Sequence, residues 1–540
     1  MIRRQTYTHL SAAQPSGDRN DGHVAGTTLT RRRFVTLTSL YGLMAGLPVR
    51  TFAQTAERWT IGLTAGDAGI EALVAAGSSG AAPAVLIIGG LQGKDATSEV
   101  VAREAAAYQA IAQNRRRFRL LAVPVANPEG RTLQFPPAGV AYRDNAESHV
   151  LWRWIGIQAP DLVLVTGEAG GGLAEALSQN AVGFVGRIPA QVITARSGLL
   201  DSVPSTLAPS EARLEIERRR SRSLRAVADE LAEIYGRDFN QPTYIQAMAL
   251  IAQLRLGNTA DVLRVAEPYL NGSRDSFAMP SQSSLAAHML FYEIARRTRD
   301  ERAAKLVLRA ANSGFTEDGS LREFMPLNGG WSDSFFMDIP ILANAGALSG
   351  ERKYFDMAAR HFAYMQKIVG RADGLYRHQA SADAAWGRGN GFAALGAALT
   401  LTDFPKDHPA YPAMLSAFQR HMQALARHQD ENGMFREVID YPGAYPEYSG
   451  TSMIATAMMR GLVKGWLDAA YPAVIDRAAK GILIRTGSDG RLFDVAESTG
   501  TRGLTSRDYL RRAAILDRDA RGGAFAMIFA TEVAGIGVAV

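Results

Sequence analysis

The chain has 540 residues, of which 47% are hydrophobic, 59 are Lys or Arg and 53 are Asp or Glu, and it contains no Cys. A chain without Cys cannot form disulfides, thiolate metal sites or a Cys nucleophile. Its length and apolar content are sufficient for two or more hydrophobic cores.

A twin-arginine pattern, TRRRFV, occupies residues 30–35, and a mostly apolar run continues to residue 49. TFA at 51–53 has the small-x-small form of a cleavage site. The run is too short to cross a bilayer. Residues 1–53 are therefore predicted to be a Tat signal peptide, with the mature chain beginning near Gln54 and located in the periplasm. The alternatives are an uncleaved signal that tethers the chain to the membrane, or a short buried helix after an accidental basic cluster.

Removing residues 1–53 leaves 52 basic and 51 acidic residues, so the positive charge belongs mostly to the predicted signal. A nearly neutral mature chain gives no reason to expect nucleic-acid binding.

Residues 57–200 predict an α/β domain. Short apolar runs alternate there with helix-length segments, which is typical of buried parallel strands. A stretch rich in Ser, Pro and Ala follows, and residues 201–215 are predicted to be a linker. The runs are RWTIGLTAG (58–66), AVLIIGGL (84–91), RFRLLAVPVAN (117–127) and DLVLVTGE (161–168).

Residues 216–540 predict an all-α domain. About twelve helical segments lie between residues 211 and 535, with apolar residues at three- and four-residue spacing. Twelve helices suit six hairpins closed into an α/α toroid, although periodicity alone also allows a superhelical array of helix pairs. The toroid is preferred because no clear sequence repeat is present.

Several C-terminal motifs occur in the order seen in a known enzyme class. WGRGNGF (386–392) resembles the WGRGNGW signature of glycoside hydrolase families 88 and 105, the unsaturated glucuronyl and rhamnogalacturonyl hydrolases. GGWSDSFFMDIPILANAG (329–346) resembles their W-x-D helix entry, and later blocks at 428–440, 445–468 and 521–533 follow in register. The resemblance covers about residues 241–540 and implies a six-hairpin (α/α)6 barrel.

The resemblance also implies a chemistry. Such enzymes remove a 4,5-unsaturated uronic acid from lyase-generated oligosaccharides by hydrating the C4=C5 double bond. One carboxyl can protonate C4 and then accept a proton from water, which is general acid–base catalysis. No cofactor or metal is implied.

Asp333 matches the catalytic Asp of the family. It lies two residues after Trp331, at the start of an apolar helix. The competing interpretation is that Ser332 or Asp333 caps this helix, since both residue types are preferred at caps.

The substrate-binding predictions are Trp331, His378, Trp386, Arg388 and Asn390. The two Trp rings can provide flat surfaces for a sugar, although each is as readily a core anchor. Arg388 offers a planar fork suited to a uronate carboxylate. Asn390 can adopt left-handed backbone geometry beside the motif glycines. His378 matches a family His, but a lone His is more often a satisfied core or surface residue.

Two departures affect this interpretation. The family usually has a second Asp opening an earlier inner helix, whereas MPSQSSLAAHML (279–290) contains no carboxylate. The loop from His378 to Trp386 is also shorter than usual. Both differences bear on substrate specificity and on activity itself.

The first domain resembles zinc carboxypeptidases and succinylglutamate desuccinylases through GGLQGKD (89–95), VPVANPEGR (123–131) and PDLVLVTGE (160–168). The family's ligand positions hold Gln92, Asp95 and Gly167 here. A catalytic zinc is expected to have three protein ligands, so the domain is predicted to lack a metal site and to serve as a support or binding face.

The leading prediction is a hydrolase of unsaturated uronyl oligosaccharides. The first alternative is a non-catalytic glycan- or wall-binding protein on the same barrel. A second alternative hydrolyses an intact sugar with two carboxylates about 5–10 Å apart. The uronic acid, its linkage and the oligomeric state remain open.

Overall fold

A computed structural model describes residues 57–167, 172–498 and 505–537. The predicted signal peptide, residues 1–53, lies outside these ranges. The described residues belong to one compact unit. No helix in the described ranges is both long and apolar enough to cross a membrane.

The N-terminal part contains a six-stranded mixed sheet in the order β1-β2-β4-β3-β5-β6. Strands β3, β4, β5 and β6 are parallel, and the central three are almost wholly buried, as their continuous apolar runs predict. The strands are β1 (Glu57–Leu63), β2 (Gly69–Ala75), β3 (Ala84–Ile88), β4 (Arg119–Val123), β5 (Leu162–Thr166) and β6 (Ala190–Ile193).

The prediction of a buried parallel strand at 58–66 was wrong. β1 lies at the sheet edge, is partly exposed and pairs antiparallel with β2. The reason is local, because only a short turn at 64–68 separates the two strands, and so short a connection can join only antiparallel neighbours.

Helices α1 (Ala96–Ala110), α2 (Ala146–Gln158) and α3 (Leu173–Gln179) complete this layer. The next helix, α4 (Glu211–Ser221), begins inside the predicted linker, 201–215. Its Ala212 and Ile216 enter the same hydrophobic core as the sheet and α2. The sequence after residue 210 is therefore part of the packed layer and not a free connection.

Twelve helical stretches, two of them broken into two helices, form a closed ring of hairpins. Each inner helix packs on the next, and the last returns to contact the first. An open array would leave its first and last helices apart, so the closed six-hairpin barrel is confirmed. The inner helices are α6 (Tyr244–Leu256), α8 and α9 (Gln282–Ala287, Met289–Thr298), α11 and α12 (Ser334–Met337, Ile339–Ser349), α14 (Gly387–Asp403), α16 (Tyr448–Val463) and α19 (Ala520–Val533); the outer helices are α5 (Leu224–Ala232), α7 (Thr259–Leu270), α10 (Glu301–Ala311), α13 (Arg352–Val369), α15 (Tyr411–Ala426) and α17 (Tyr471–Arg485).

A buried charge network joins the helices at the closure of the ring. Glu532 of α19 accepts two hydrogen bonds from Arg460 of α16, at 2.8 and 2.7 Å, and pairs with Arg255 of α6 at 3.0 Å. All three side chains are buried, so each charge depends on the others for compensation.

The α/β layer and the barrel share a core through a hairpin that the sequence did not predict. The hairpin consists of β9 (Arg491–Ala496) and β10 (Ala514–Arg518), with the short helix α18 (Ser506–Leu510) between them. Phe493 and Ala514 pack into the core of the α/β layer. Arg153 of α2 forms a buried ion pair with Asp494 of β9. A two-residue pair, β7 (Phe435–Arg436) and β8 (Pro446–Glu447), precedes α16.

Candidate active site

The candidate site lies at one end of the ring. Because each inner helix is followed by an outer helix that returns the chain, the inner helices all run in the same direction. Asp333 comes directly before α11, Trp386 before α14 and Glu447 before α16. Helix N-termini carry unpaired N–H groups and positive partial charge. At α16 these groups are already bound, because the Glu447 carboxylate accepts from Ser449 N and Gly450 N.

The Asp333 side chain does not cap α11. Its backbone is already helical and its carbonyl oxygen accepts from Phe336 and Met337, but its carboxyl makes no capping hydrogen bond. The Ser332 hydroxyl is likewise buried without a hydrogen-bond partner among the described residues. The capping interpretation of these two residues is therefore not supported, and the Asp333 carboxyl is available for another role.

His378 lies beside Asp333. Its Nε2 is 3.3 Å from Asp333 Oδ2, while the Asp333 side chain as a whole is 16% exposed. The two atoms are close enough for an ion pair but are not aligned for a hydrogen bond, so within the described residues Oδ2 is buried without a hydrogen-bond partner. A buried carboxyl oxygen that has no hydrogen-bond partner in the protein is free to exchange a proton with a bound substrate.

Tyr509 of α18 completes this group, and sequence reasoning missed it. Its hydroxyl lies 2.7 Å from His378 Nδ1. Burial, and to a smaller extent the charge of Asp333, raises the pKa of Tyr509 above its ordinary value, so the hydroxyl stays protonated and can donate. No sequence pattern signals this contact, because 131 residues separate the partners.

Trp331 is the predicted sugar platform that stays partly exposed. Its ring stacks on His378 at 6.2 Å between centroids, with the planes 18° apart. Its Nε1 donates to Gln379 Oε1 at 3.3 Å. The ring is therefore fixed next to the Asp333 carboxyl with part of its surface accessible.

Trp386 lies deeper than a sugar platform would. It is only 2% exposed, and its Nε1 donates to Glu437 Oε1 at 2.8 Å. Burial, followed by the charge of Glu447, raises the pKa of Glu437 well above its ordinary value. Trp386 thus holds a hydrogen bond to a buried acid on one side and packs against His378 on the other.

Arg388 also differs from its predicted role. Its guanidinium is buried over the Trp386 ring and donates to the backbone carbonyls of Ala496 and Glu497 at the end of β9. The planar fork suited to a carboxylate is equally suited to two carbonyls. In this structure Arg388 fixes the β9–β10 hairpin to the barrel.

Asn390 is fully buried inside α14 and has a helical backbone, not a left-handed one. Its Oδ1 accepts from Tyr376 N at 3.0 Å and contacts His421 Nε2 at 3.1 Å. Its Nδ2 donates to the carbonyls of Tyr376 and Trp386. The amide is fully used by protein groups, which gives Asn390 a structural role.

An amide occupies the part of the barrel where the family has its second Asp. Gln282, the first residue of α8, donates to Ser334 Oγ at 2.6 Å and to Asp338 Oδ2 at 3.0 Å. Asp338 is fully buried and lies 3.3 Å from His361. The α8 amide therefore bonds to the helix that follows Asp333.

No group of three or more His, Asp or Glu side chains that could bind a metal occurs within residues 57–167, 172–498 and 505–537. Asp95 instead caps α1, accepting from Thr97 N and Ser98 N. Gln92 lies in the loop before α1, and Gly167 follows β5 with a positive φ.

A family model, Glycosyl Hydrolase Family 88, matches residues 262–536, just over half of the chain. The chain belongs to glycosyl hydrolase family 88. This confirms the resemblance on which the site residues were chosen.

Two curated proteins are similar to this family 88 chain. The unsaturated rhamnogalacturonyl hydrolase YesR of Bacillus subtilis is 27% identical over 177 residues, 31% of this chain and 50% of the relative. An unsaturated 3S-rhamnoglycuronyl hydrolase of an Alteromonas species is 25% identical over 175 residues, 30% and 42% of the two chains. The chain thus spans half or less of the length of these relatives.

Among solved structures, a possible GH105 member from Salmonella enterica serovar Paratyphi A has 20% identity and a TM-score of 0.47. The alignment covers 62% of this chain and 96% of that chain.

The structural role of Asn390 predicts the outcome of its substitution in this family 88 protein. Asn390→Ala leaves the Tyr376 backbone and the His421 ring buried without partners, and each such group costs about 1–3 kcal/mol. We expect chemical denaturation to show a loss of at least about 2 kcal/mol. Asn240→Ala, at an exposed site, is the matched control and should stay within about 0.5 kcal/mol. Unchanged stability with a large rise in KM would instead assign Asn390 to substrate binding.

Proposed function

We propose that this protein hydrolyses lyase-generated oligosaccharides that end in a 4,5-unsaturated uronic acid. The observation that carries the proposal is the Asp333 carboxyl, which is free of the helix cap and has a buried oxygen 3.3 Å from His378. The family assignment supports the substrate class.

In the proposed reaction Asp333 transfers its proton to C4 of the unsaturated ring. Positive charge develops at C5 and is shared with the ring oxygen. The Asp333 carboxylate then removes a proton from the water that adds to C5. The resulting hemiketal opens, and the glycosidic bond breaks as the product rearranges. When His378 carries its proton on Nε2, that proton lies near the carboxylate that remains after the first proton transfer and stabilises its charge electrostatically, since Nε2 is 3.3 Å from Asp333 Oδ2.

Trp331 provides the partly exposed face for the sugar ring. The site is supported from below by three buried residues that do not contact the sugar in this proposal, namely Trp386, Arg388 and Asn390. The Gln282 amide cannot act as a second acid, so the proposed reaction assigns both proton transfers to Asp333. No metal enters any step, and full activity is expected in a chelating buffer.

Asp333→Asn tests the proposed mechanism. The amide has nearly the same size but cannot exchange the proton, and loss of general acid–base catalysis usually costs about 10²–10⁴-fold in rate. We expect kcat on an unsaturated disaccharide to fall by at least about 100-fold while KM changes only several-fold. Stability should change little, because the carboxyl makes no capping bond.

The control is Asp383→Asn, whose carboxyl is 71% exposed on the nearby loop and should leave kcat unchanged. A near-normal kcat for Asp333→Asn would exclude Asp333 as the acid. Wild-type protein that binds the oligosaccharides without cleaving any of them would favour the glycan-binding alternative.

For the α/β layer we propose a supporting role. Its likeness to zinc carboxypeptidases stays a prediction, and the use of Asp95 as a helix cap supports a layer without a metal site.

We also propose export by the Tat pathway to the periplasm, on the strength of the TRRRFV motif. Replacing Arg31 and Arg32 together by Lys should leave unprocessed protein in the cytoplasm. Arg33→Lys is the matched control, since this residue follows the pair and should not alter export. Normal periplasmic yield of the double variant, measured by cell fractionation, would contradict the proposal.

A further inference from the structure

Tyr509 reaches His378 from a segment that connects the barrel to the α/β layer. The residue is fully buried on α18, in an apolar cluster that includes Leu63 at the end of β1 and Trp386 before α14. The hydroxyl is therefore positioned by groups from both parts of the molecule. A displacement of α18 would remove the hydroxyl from His378 Nδ1.

Two arginines flanking Tyr509 bind the turn between β1 and β2. Arg511 donates to the Thr64 carbonyl and to the Asp67 carboxylate. Arg507 donates to the Ala65 carbonyl at 3.0 Å and pairs with Asp67 at 3.1 Å. Asp67 thus pairs with both arginines and is the charge that fixes α18 to the α/β layer.

The turn itself is held rigidly by its own layer. Glu129 accepts from Gly66 N at 2.7 Å, and Glu147 accepts from Ala65 N at 3.0 Å. Thr64 N donates to Ala68 O at 2.8 Å and closes the turn.

Asp67 lies in this turn with a φ of +69°, a backbone conformation that Asn tolerates about as well as Asp. Asn is therefore the substitution that removes the charge and preserves the backbone.

The Tyr509 hydroxyl can donate to His378 Nδ1 or accept from it, and only the first arrangement leaves the ring proton on the other nitrogen. A hydroxyl that donates to Nδ1 requires a lone pair there, which places the ring proton on Nε2. Nε2 is the atom that faces Asp333 Oδ2. With the other tautomer, the lone pair of Nε2 would face the carboxylate, and its charge would lose this neighbouring donor.

We propose that the α/β layer positions the active site, with Asp67 fixing α18 so that Tyr509 selects the His378 tautomer that faces Asp333. Tyr509 and Asp67 are positioning residues that act through His378. The inference rests on the proposed role of Asp333, and it gives the α/β layer a specific contribution to that reaction.

The test compares Tyr509→Phe, Asp67→Asn and the double variant of the full chain, with Asp517→Asn on β10 as the matched exposed control. Tyr509→Phe should lower kcat about 10- to 100-fold, as loss of an orienting partner does elsewhere, with KM changed only a few-fold. Asp67→Asn should lower kcat by a smaller factor. The double variant should be no slower than Tyr509→Phe alone, because both substitutions act through one contact.

A second readout does not depend on turnover. Nitrogen-15 NMR of labelled histidine should show the Nε2–H tautomer of His378 in the wild type and in Asp517→Asn. Tyr509→Phe should give a mixture of tautomers, and Asp67→Asn an intermediate one. If the wild type does not cleave the unsaturated substrate but the variants show these tautomer shifts, only the proposed function is contradicted. A wild-type tautomer in both variants, or rate losses that multiply in the double variant, would overturn the positioning role.

Discussion

The arrangement of the site depends on the closure of six helical hairpins into one ring. Closure places the N-terminal ends of the inner helices side by side, so residues far apart in sequence meet at one end of the barrel. The buried network of Arg255, Arg460 and Glu532 lies where the last inner helix returns to the first. Such a network is costly to break, because removal of one member leaves buried charge without compensation. The ring is consequently a rigid frame on which a carboxyl can be held in one orientation.

Within this ring, the residues of the motif WGRGNGF are buried beneath the site and support it through contacts with other protein groups. Trp386 binds Glu437, Arg388 binds the end of β9, and Asn390 joins α14 to the Tyr376 backbone and the His421 ring. The Arg388 contact fixes the hairpin that carries α18 and hence Tyr509. The motif residues therefore contribute to catalysis in this account by determining the position of His378, while Trp331 and Asp333 present the surface that a substrate meets.

Much of the barrel could be predicted from the sequence, since each helix is specified by local apolar periodicity and by breaks at Gly, Pro and Asp. Asp333 could be found because its motif is local as well. The roles of Trp386, Arg388 and Asn390 could not, because a guanidinium or an amide serves a sugar or a backbone carbonyl equally well, and the choice depends on partners up to 109 residues away. Tyr509 and the β9–β10 hairpin lacked any local signal. The apolar run at 58–66 predicted a buried parallel strand, but the short turn after β1 allows only antiparallel pairing with β2, which places β1 at the edge of the sheet.

The central claim is that the protein acts on the C4=C5 double bond and not on the anomeric carbon. The most direct measurement uses two disaccharides that differ only in that bond, one produced by a lyase and one saturated. We predict that the unsaturated substrate loses its conjugated ultraviolet absorbance in step with release of the second sugar, and that the saturated substrate is not cleaved. Cleavage of the saturated disaccharide at a comparable rate would contradict the account.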